Sequence, residues 1–584
     1  MTTSRSLRFA GLVLLFLLPL ALRVFPLKHG GERGYVPDAH MVRQALGMAR
    51  DKNLAPPVGK YSTYPNLVPY VALPMLGAQY VAGTFRGEWQ DPKQYGDYLL
   101  EHPQRAAWVV RLVVAVFGAL TAWAVFRAAR AAGLGAGAWV AAWLVATGLL
   151  HLQFSTHERP WVPMVFFLTL SAWGAIAYAT SARKLHLALS GIAAGLAFAC
   201  HQAGFPGIAI PFFAWLLGPL GWKSLALRER LVGGVLAVGG FAIAGVLLGH
   251  PYLFVHGRTP TEAVVGQGAA DVSIGGMSAD FGFRLESLTR LSGVFFGYDP
   301  VLLLLGLGGL VFALRDRRLR PVMIFTLTWA AYFLVNPSDH VRYLLPVSVL
   351  LALPAGLLVE RWFAQPFGKF AAPLLLAVPL VQALRFVHVL GRTDTRALAE
   401  EKLAALAPGQ RVAIDRYGPY VDLSPLGLTV LERVRATCQQ GLRPRENHRK
   451  LELGAGRASG GVDAIRIEEL FTFDELDPPG DRRQTLQVAD CLAEQLGRDP
   501  IALLRALGVT HLLLVDRRPA DGFQNLLLAP GGGEHVEWSV DPRAFRLSTA
   551  TEAFLPTEMD FPLTGLWSVE RPGPLLELVA LSTR

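Results

Sequence analysis

Cysteine is almost missing from this chain: three residues in 584, Cys200, Cys438 and Cys491, with no CxxC and no Cys/His zinc spacing. A structural metal site therefore has no support. Charge is sparse as well, at 17% of residues, and acids are outnumbered, 45 Asp and Glu against 55 Lys and Arg. So little charge, with 52% apolar residues and a mean hydropathy of +0.36, excludes an ordinary soluble protein. The chain also lacks GxSxG, a Walker loop, and a GxGxxG that opens a helix after a strand. The segment HPYLFVH has two histidines but not the HExxH spacing of a zinc protease. Gly30-Gly31 and Gly275-Gly276 are loop punctuation.

Long apolar runs, by contrast, are abundant. A membrane-spanning helix needs roughly 20 predominantly apolar residues. Eleven such stretches are expected, near 9–22, 107–126, 138–154, 161–179, 185–201, 205–220, 231–249, 299–314, 321–336, 343–359 and 371–390. After Gly391 charges become frequent and no later run is long enough to span. The expected fold class is an α-helical polytopic membrane protein with a soluble α/β domain at its C-terminus. Residues 1–390 form the membrane domain, with a long first outer loop over 25–106, and 391–584 form the soluble domain. In the latter, the strand-like runs Arg411–Asp415 and His511–Asp516 alternate with helical patterns at Arg396–Leu406 and Ile501–Leu507, and RPGPLLELVAL reads as a final strand.

The sequence pI near 9.6 is explained by where the cations lie. The first apolar run is followed directly by Arg23, without an A-x-A cleavage site, and reads as an uncleaved anchor that leaves residue 25 outside. Alternate loops then carry Arg127 and Arg130; Arg183 and Lys184; Lys223, Arg228 and Arg230; Arg315, Arg317, Arg318 and Arg320; Arg361 and Lys369. Cations in short cytoplasmic loops orient a polytopic protein, so these loops are inside, and nucleic-acid binding is set aside. Leu67–Ala82 is apolar but short, with Pro69 and Pro74. Counting it as a span would invert every later loop, so it reads as an interfacial or re-entrant helix. The C-terminal domain is then extracytoplasmic, where a Cys438–Cys491 disulfide is an open possibility.

That topology sorts the awkward polar residues onto the outer face. There lie Asp38 and His40, Tyr64, His157-Glu158-Arg159, His201-Gln202, His250, and Asp339-His340 with Arg342-Tyr343, while Arg111 sits about one turn inside the second span. Ionisable groups at membrane depth cost a few kcal/mol each unless paired or hydrated, and so tend to face a cavity. A rim of Arg and His around one loop carboxylate suits an anionic lipid headgroup plus a proton acceptor. Arg fits phosphate through its planar bidentate fork. Each residue taken alone also has a plainer reading: Asp38 as a helix N-cap, the arginines as snorkelling side chains, the histidines as satisfied interfacial residues.

At this point the arrangement resembles a known family. YVPDAHMVRQALGMARDKNLAPP…YPNLVPYVALP is similar to the first outer loop of lipid-linked-sugar glycosyltransferases of the C-type superfamily, and in particular of the protein-mannosyltransferase-like family 39 group. RLVVAVFGALTAW from Arg111, GHPYLFV from Gly249, HVRYLLPVSVLLALPAG from His340 and DTRALAEEKLAALAPGQRVAID from Asp394 look similar too. The resemblance implies a catalytic cavity at the outer face of the cell membrane, a polyprenyl-phosphate sugar donor, an envelope acceptor (lipid, glycan or protein) and Asp38 as the catalytic carboxylate. Arg342, Arg111 and Arg159 are the expected donor-phosphate ligands. His40, Tyr64, His157, Glu158, His201, His340 and Tyr343 are expected to line the substrate site. No metal ligand is assigned, and a divalent cation stays open as a cofactor. The chain departs from the family where Ala39 follows Asp38 in place of Glu, and where Trp161 stands in place of an Asp. A secondary transporter or lipid flippase, and a catalytically inactive glycan-binding relative, are the competing readings; the one-sided polar set and the absence of repeated halves weigh against a transporter.

Overall fold

Backbone polar groups have no water partner in a bilayer, so an apolar stretch of this length closes its own hydrogen bonds as a helix. The computed structural model describes residues 2–29, 40–54, 65–218, 227–250, 273–274, 277–278, 285–335, 341–407, 409–415, 418–437, 461–467, 470–476, 483–515, 536–543 and 562–581. Among them the molecule is predominantly helical. The N-terminal part runs α1 (Thr2–Val24), α2 (His40–Asp51), α3 (Leu67–Phe85), α4 (Pro92–Glu101), α5 (Pro103–Ala131), α6 (Ala136–Thr147), α7 (Leu149–Phe154), α8 (Trp161–Ser181), α9 (Lys184–Cys200), α10 (Ala209–Leu217) and α11 (Leu227–Ala242). It continues with α12 (Leu285–Tyr298), α13 (Pro300–Arg315), α14 (Arg320–Val335), α15 (Leu345–Phe363) and α16 (Pro366–Leu390). Among the described residues, five helical segments are long and apolar enough to cross a membrane: Pro103–Ala131, Trp161–Ser181, Leu227–Leu247, Val341–Phe363 and Phe370–Ala404.

Several helices differ from their sequence-based expectation in instructive ways. The stretch 138–154 is not one helix but two, α6 and α7, broken at Gly148. The 231–249 stretch widens into a π turn at Ile243–Leu247, just before Gly249. Leu67–Ala82, expected to be an interfacial or re-entrant helix, lies in the continuous helix Leu67–Phe85, which tolerates Pro74 and is not among the five segments long and apolar enough to cross. It turns into α4 through Gly87, whose φ of +75° favours glycine. Trp89 folds back there, its indole N–H donating to Tyr80 O at 2.8 Å.

Small residues let the helices cross closely, as in other membrane bundles. Gly137 of α6 and Gly356 of α15 meet so tightly that a Cβ on the former would lie 2.3 Å from Gly356 O. The apolar core that results runs through α5, α6, α8, α13 and α15.

Beyond Gly391 the chain forms α17 (Thr395–Ala404), β1 (Arg411–Ile414), α18 (Pro425–Thr437), β2 (Ala464–Arg466), β3 (Phe471–Leu476), β4 (Arg483–Val488), α19 (Asp490–Leu496), α20 (Pro500–Ala506), β5 (Val509–Val515), β6 (Val536–Val540), α21 (Leu563–Ser568) and β7 (Leu576–Ala580). A five-stranded sheet has the order β2-β1-β5-β7-β6, parallel among β2, β1 and β5 and antiparallel across β7 and β6. β3 and β4 pair separately as an antiparallel hairpin. Cys491 is disulfide-bonded, Cys200 is a free, buried thiol, and Cys438 lies outside the described residues. The C-terminal region does not stand apart from the helices. Leu566 and Val569 are buried in the helical core, and Arg385 of α16 donates to Val569 O at 2.5 Å.

Candidate functional site

The N-terminal ends of α5 and α8 come together around a buried ion pair. Arg111 projects from α5, and its Nε donates to Glu158 Oε2 at 2.6 Å, with both side chains at 1% exposure or less. Its Nη1 donates to Leu27 O and His29 O, each at 2.9 Å, and lies 3.2 Å from His29 Nδ1. Those carbonyls belong to the 3-10 turn Phe25–Lys28 and its cap, which Pro26 starts as α1 ends. Arg111 thus ties the chain leaving α1 to the loop between α7 and α8.

That loop, Ser155–Pro160, is polar yet wholly buried. His157 faces His29, ring centroids 5.4 Å apart, and touches Phe154 edge-on. Among the described residues neither ring nitrogen of His157 has a hydrogen-bond partner, and the same holds for His29 Nε2 and Arg111 Nη2. Buried polar atoms are nearly always satisfied, so a cluster of them marks a place where a polar ligand or ordered water belongs. Burial lowers the His157 pKa well below its usual value, and Arg159 and Arg111 lower it further. Burial does the same to His29, helped by Arg111, His157 and Arg396. Both rings are therefore held neutral at pH 7. The Arg396 in question is paired to Asp394 at 2.9 Å, both buried at the head of α17, so the start of the C-terminal region borders the cluster.

A second group continues from the first through Pro160. Trp161 opens α8 and packs between His201, at 4.3 Å between centroids, and Tyr343, edge-on at 5.1 Å. Tyr343 stacks on Phe333 at 4.8 Å, its carbonyl takes the Trp329 indole N–H at 2.7 Å, and the Arg342 guanidinium lies 5.8 Å from its ring. His201 caps the 3-10 turn Gln202–Ile208 by accepting from Ala203 N at 3.0 Å.

Of the residues expected from sequence, Arg111, His157, Glu158 and Arg159 meet in the first group, and His201, Arg342 and Tyr343 in the second. Asp38, Tyr64 and His340 lie outside the described residues, and His40 begins α2. Asn66, two residues after Tyr64, is fixed to Gly249 O through its backbone N–H at 3.0 Å, joining the start of α3 to the residues just after the π turn. The sequence reading missed His29, Trp161 as a packing centre, and the Asp394–Arg396 pair. Only Trp161 carried a signal, as a large aromatic beside His157-Glu158-Arg159 at the start of an expected span. Among the described residues no group of three or more His, Cys, Asp or Glu is placed to hold a metal ion.

Residues 103–247 match the model of the dolichyl-phosphate-mannose-protein mannosyltransferase family. The resemblance read from the sequence stands over that stretch, which contains Arg111, His157, Glu158, Arg159, Trp161 and His201. No curated protein sequence gives a significant match. Among solved structures the chain is similar to ArnT from Cupriavidus metallidurans bound to undecaprenyl phosphate, at 16% identity over 78% of this chain and 76% of that one, with a TM-score of 0.41. It is similar to the oligosaccharyltransferase of Archaeoglobus fulgidus at 14% identity over 74% of this chain, TM-score 0.40, and spans 56% of that protein's length. For the arabinofuranosyltransferase AftD from Mycobacteria the values are 14% identity, 98% of this chain, 40% of that chain and a TM-score of 0.41.

Proposed function

We propose that this protein transfers a sugar from a polyprenyl-phosphate-linked donor to an envelope acceptor (lipid, glycan or protein) at the outer face of the cell membrane, with inversion at the anomeric carbon. The observation that carries the reading is the buried cluster around Arg111 and Glu158 lying within the family-matched residues 103–247. A spanning bundle does not bury a guanidinium, a carboxylate and two imidazoles at one end without a use for them. The disulfide at Cys491 is in keeping with an extracytoplasmic C-terminal domain over 391–584.

In the reaction the bond between the sugar's anomeric carbon and the phosphate oxygen breaks, and its electron pair leaves with the phosphate. The acceptor oxygen or nitrogen bonds to that carbon, and its proton passes to the Asp38 carboxylate as general base. The leaving phosphate gains negative charge, which Arg342 and Arg159 offset. Arg111 is already held by Glu158 and two carbonyls, so it contributes mainly through the charge it shares with that pair and through Nη2. The neutral imidazoles of His157 and His29 offer donors and acceptors to sugar hydroxyls without adding charge. One carboxylate is enough for a single displacement, unlike the carboxylate pairs of glycosidases.

Mass spectrometry of envelope lipids and glycans, from cells with and without the protein, tests the reading. A sugar-bearing species should vanish on deletion and stay absent when Asp38→Asn is supplied in its place, with transfer down by about 100-fold or more. Asn caps a helix about as well as Asp, so a loss in that variant reports chemistry and not folding. Unchanged envelope glycans on deletion would overturn the proposal.

A further inference from the structure

The break between α6 and α7 has no sequence cause strong enough to make it. The segment AGAWVAAWLVATGLLHLQFS contains no proline, and one glycine costs a helix only about 1 kcal/mol relative to alanine. In a membrane each freed backbone group costs several times that. Something must therefore receive the groups that the break at Gly148 releases.

Two buried charges from elsewhere in the chain do so. Arg23, near the end of α1, donates from Nη1 to Ala146 O at 3.1 Å and from Nη2 to Val145 O at 3.4 Å. Asp299, between α12 and α13, accepts from Leu149 N at 2.6 Å and from Leu150 N at 3.1 Å. The cation thus sits on the carbonyl end of α6 and the anion on the N–H end of α7, the signs that the two helix dipoles favour. Arg23 is paired with no carboxylate and Asp299 with no cation among the described residues, although both are buried. Arg23 also reaches across the break, Nη2 lying 2.8 Å from His151 Nδ1 on α7. Gly118 of α5 leaves room for it and for Ser155: a Cβ there would lie 2.6 Å from Arg23 Nε and 2.5 Å from Ser155 Oγ.

We infer that Arg23 and Asp299 are positioning residues that hold this break open and so aim the loop Ser155–Pro160 into the site. The role given to the loop rests on the transferase reading; the clamping of the break does not. An unbroken helix would carry residues 149–154 straight on along the axis of α6. The break redirects them, and the redirected chain sets His157 against His29, Glu158 on Arg111, and Trp161 between His201 and Tyr343.

The test uses the full chain in lipid nanodiscs, with Asp299→Asn, Arg23→Met and the double variant. Two readouts are taken: amide hydrogen exchange along the chain, and affinity for undecaprenyl phosphate. Each single variant should speed exchange over residues 149–161 while 103–131 and 345–363 stay protected. Each should weaken undecaprenyl phosphate binding by about tenfold or more, the size of a lost charged hydrogen bond. Because both residues act on one break, the double variant should bind little worse than the weaker single. Asp299→Glu, which keeps two acceptor oxygens, should recover part of the affinity. Unchanged exchange over 149–161 overturns the inference, and so does faster exchange with undiminished affinity. If the wild-type chain does not bind undecaprenyl phosphate, the transferase reading fails, and the clamp stands or falls on exchange alone. Should Asp299→Asn not fold, Arg23→Lys keeps the charge at the break but loses the fork that reaches Ala146 O and Val145 O together. The same local rise in exchange is expected there, and its absence overturns the inference.

Discussion

Removing either partner of the Arg111–Glu158 pair alone should cost more than removing both. The two charges lie 2.6 Å apart, N to O, and are almost fully shielded from solvent. With charge centres about 4 Å apart their attraction is roughly 4 kcal/mol at the effective dielectric that proteins display. Desolvating each ion costs several kcal/mol, so the intact pair is near balance, whereas a lone buried charge is not. Glu158→Gln keeps an oxygen for Arg111 Nε but strands the guanidinium, which places its cost near the lower end of the 3–5 kcal/mol range, at about 3 kcal/mol. Arg111→Met strands Glu158 and also orphans Leu27 O and His29 O, and should approach about 5 kcal/mol. The double variant leaves no unmatched charge, only the two carbonyls, for a cost of about 2 kcal/mol. Equilibrium unfolding in mixed micelles gives the four corners of the cycle. The single effects should exceed the double by several kcal/mol when summed. Additivity to within about 0.5 kcal/mol would refute the reasoning and with it the idea that this pair sets the geometry of the site.

The buried imidazoles make stability pH-dependent. Burial and the neighbouring guanidinium groups depress His29 and His157, so the folded state binds fewer protons than the unfolded one near pH 6, and stability is lost as pH falls below the unfolded value of about 6.5. At pH 5.5 each should cost about 1 kcal/mol relative to pH 7, read as a falling melting temperature that His157→Gln partly flattens; a pH-independent melting temperature would contradict it. On the opposite end of the bundle, Glu360 accepts from Gly135 N at 2.8 Å and Gly137 N at 3.0 Å and so caps α6. Glu360→Ala should lower stability by about 1–2 kcal/mol in the same unfolding assay. For topology, reporter fusions after Arg130, Arg230 and Arg320 should read cytoplasmic and one after Arg396 outside; a cytoplasmic signal after Arg396 would invert the assignment of the site. Arg342→Ala should weaken donor binding by a few kcal/mol, with Arg342→Lys restoring only part because it lacks the bidentate fork; equal affinity removes Arg342 from the donor site.

What the sequence discloses and what it withholds divide along a physical line. The helices are legible because an apolar run of the right length has one way to satisfy its backbone in a bilayer: the stretch read as 185–201 is Lys184–Cys200, and 161–179 is Trp161–Ser181. The strands β1 and β5 are legible for a similar reason, as Val, Ile and Leu runs bounded by turns. Helix α12 is not legible, because Glu286 and Arg290 interrupt its apolar pattern. Nor is the break at Gly148, since its cause is two side chains at positions 23 and 299 and nothing local records them.

The same division runs through the site. That Arg111, His157, Glu158 and Arg159 share one end of the bundle follows from topology and loop charge alone. Which of them hold each other does not, because Arg111 and Glu158 are 47 residues apart and the carbonyls that Arg111 takes belong to the turn that follows α1. A buried guanidinium needs partners for several donors, and a sequence cannot say whether a phosphate or the protein supplies them. Here the protein supplies four contacts, and among the described residues Nη2 finds no hydrogen-bond partner. Arg111 is therefore better understood as the fastener that holds Glu158 and His29 beside His157. On the proposed function, the cations that meet a phosphate are then to be sought in Arg159, two residues before Trp161, and Arg342, beside Tyr343.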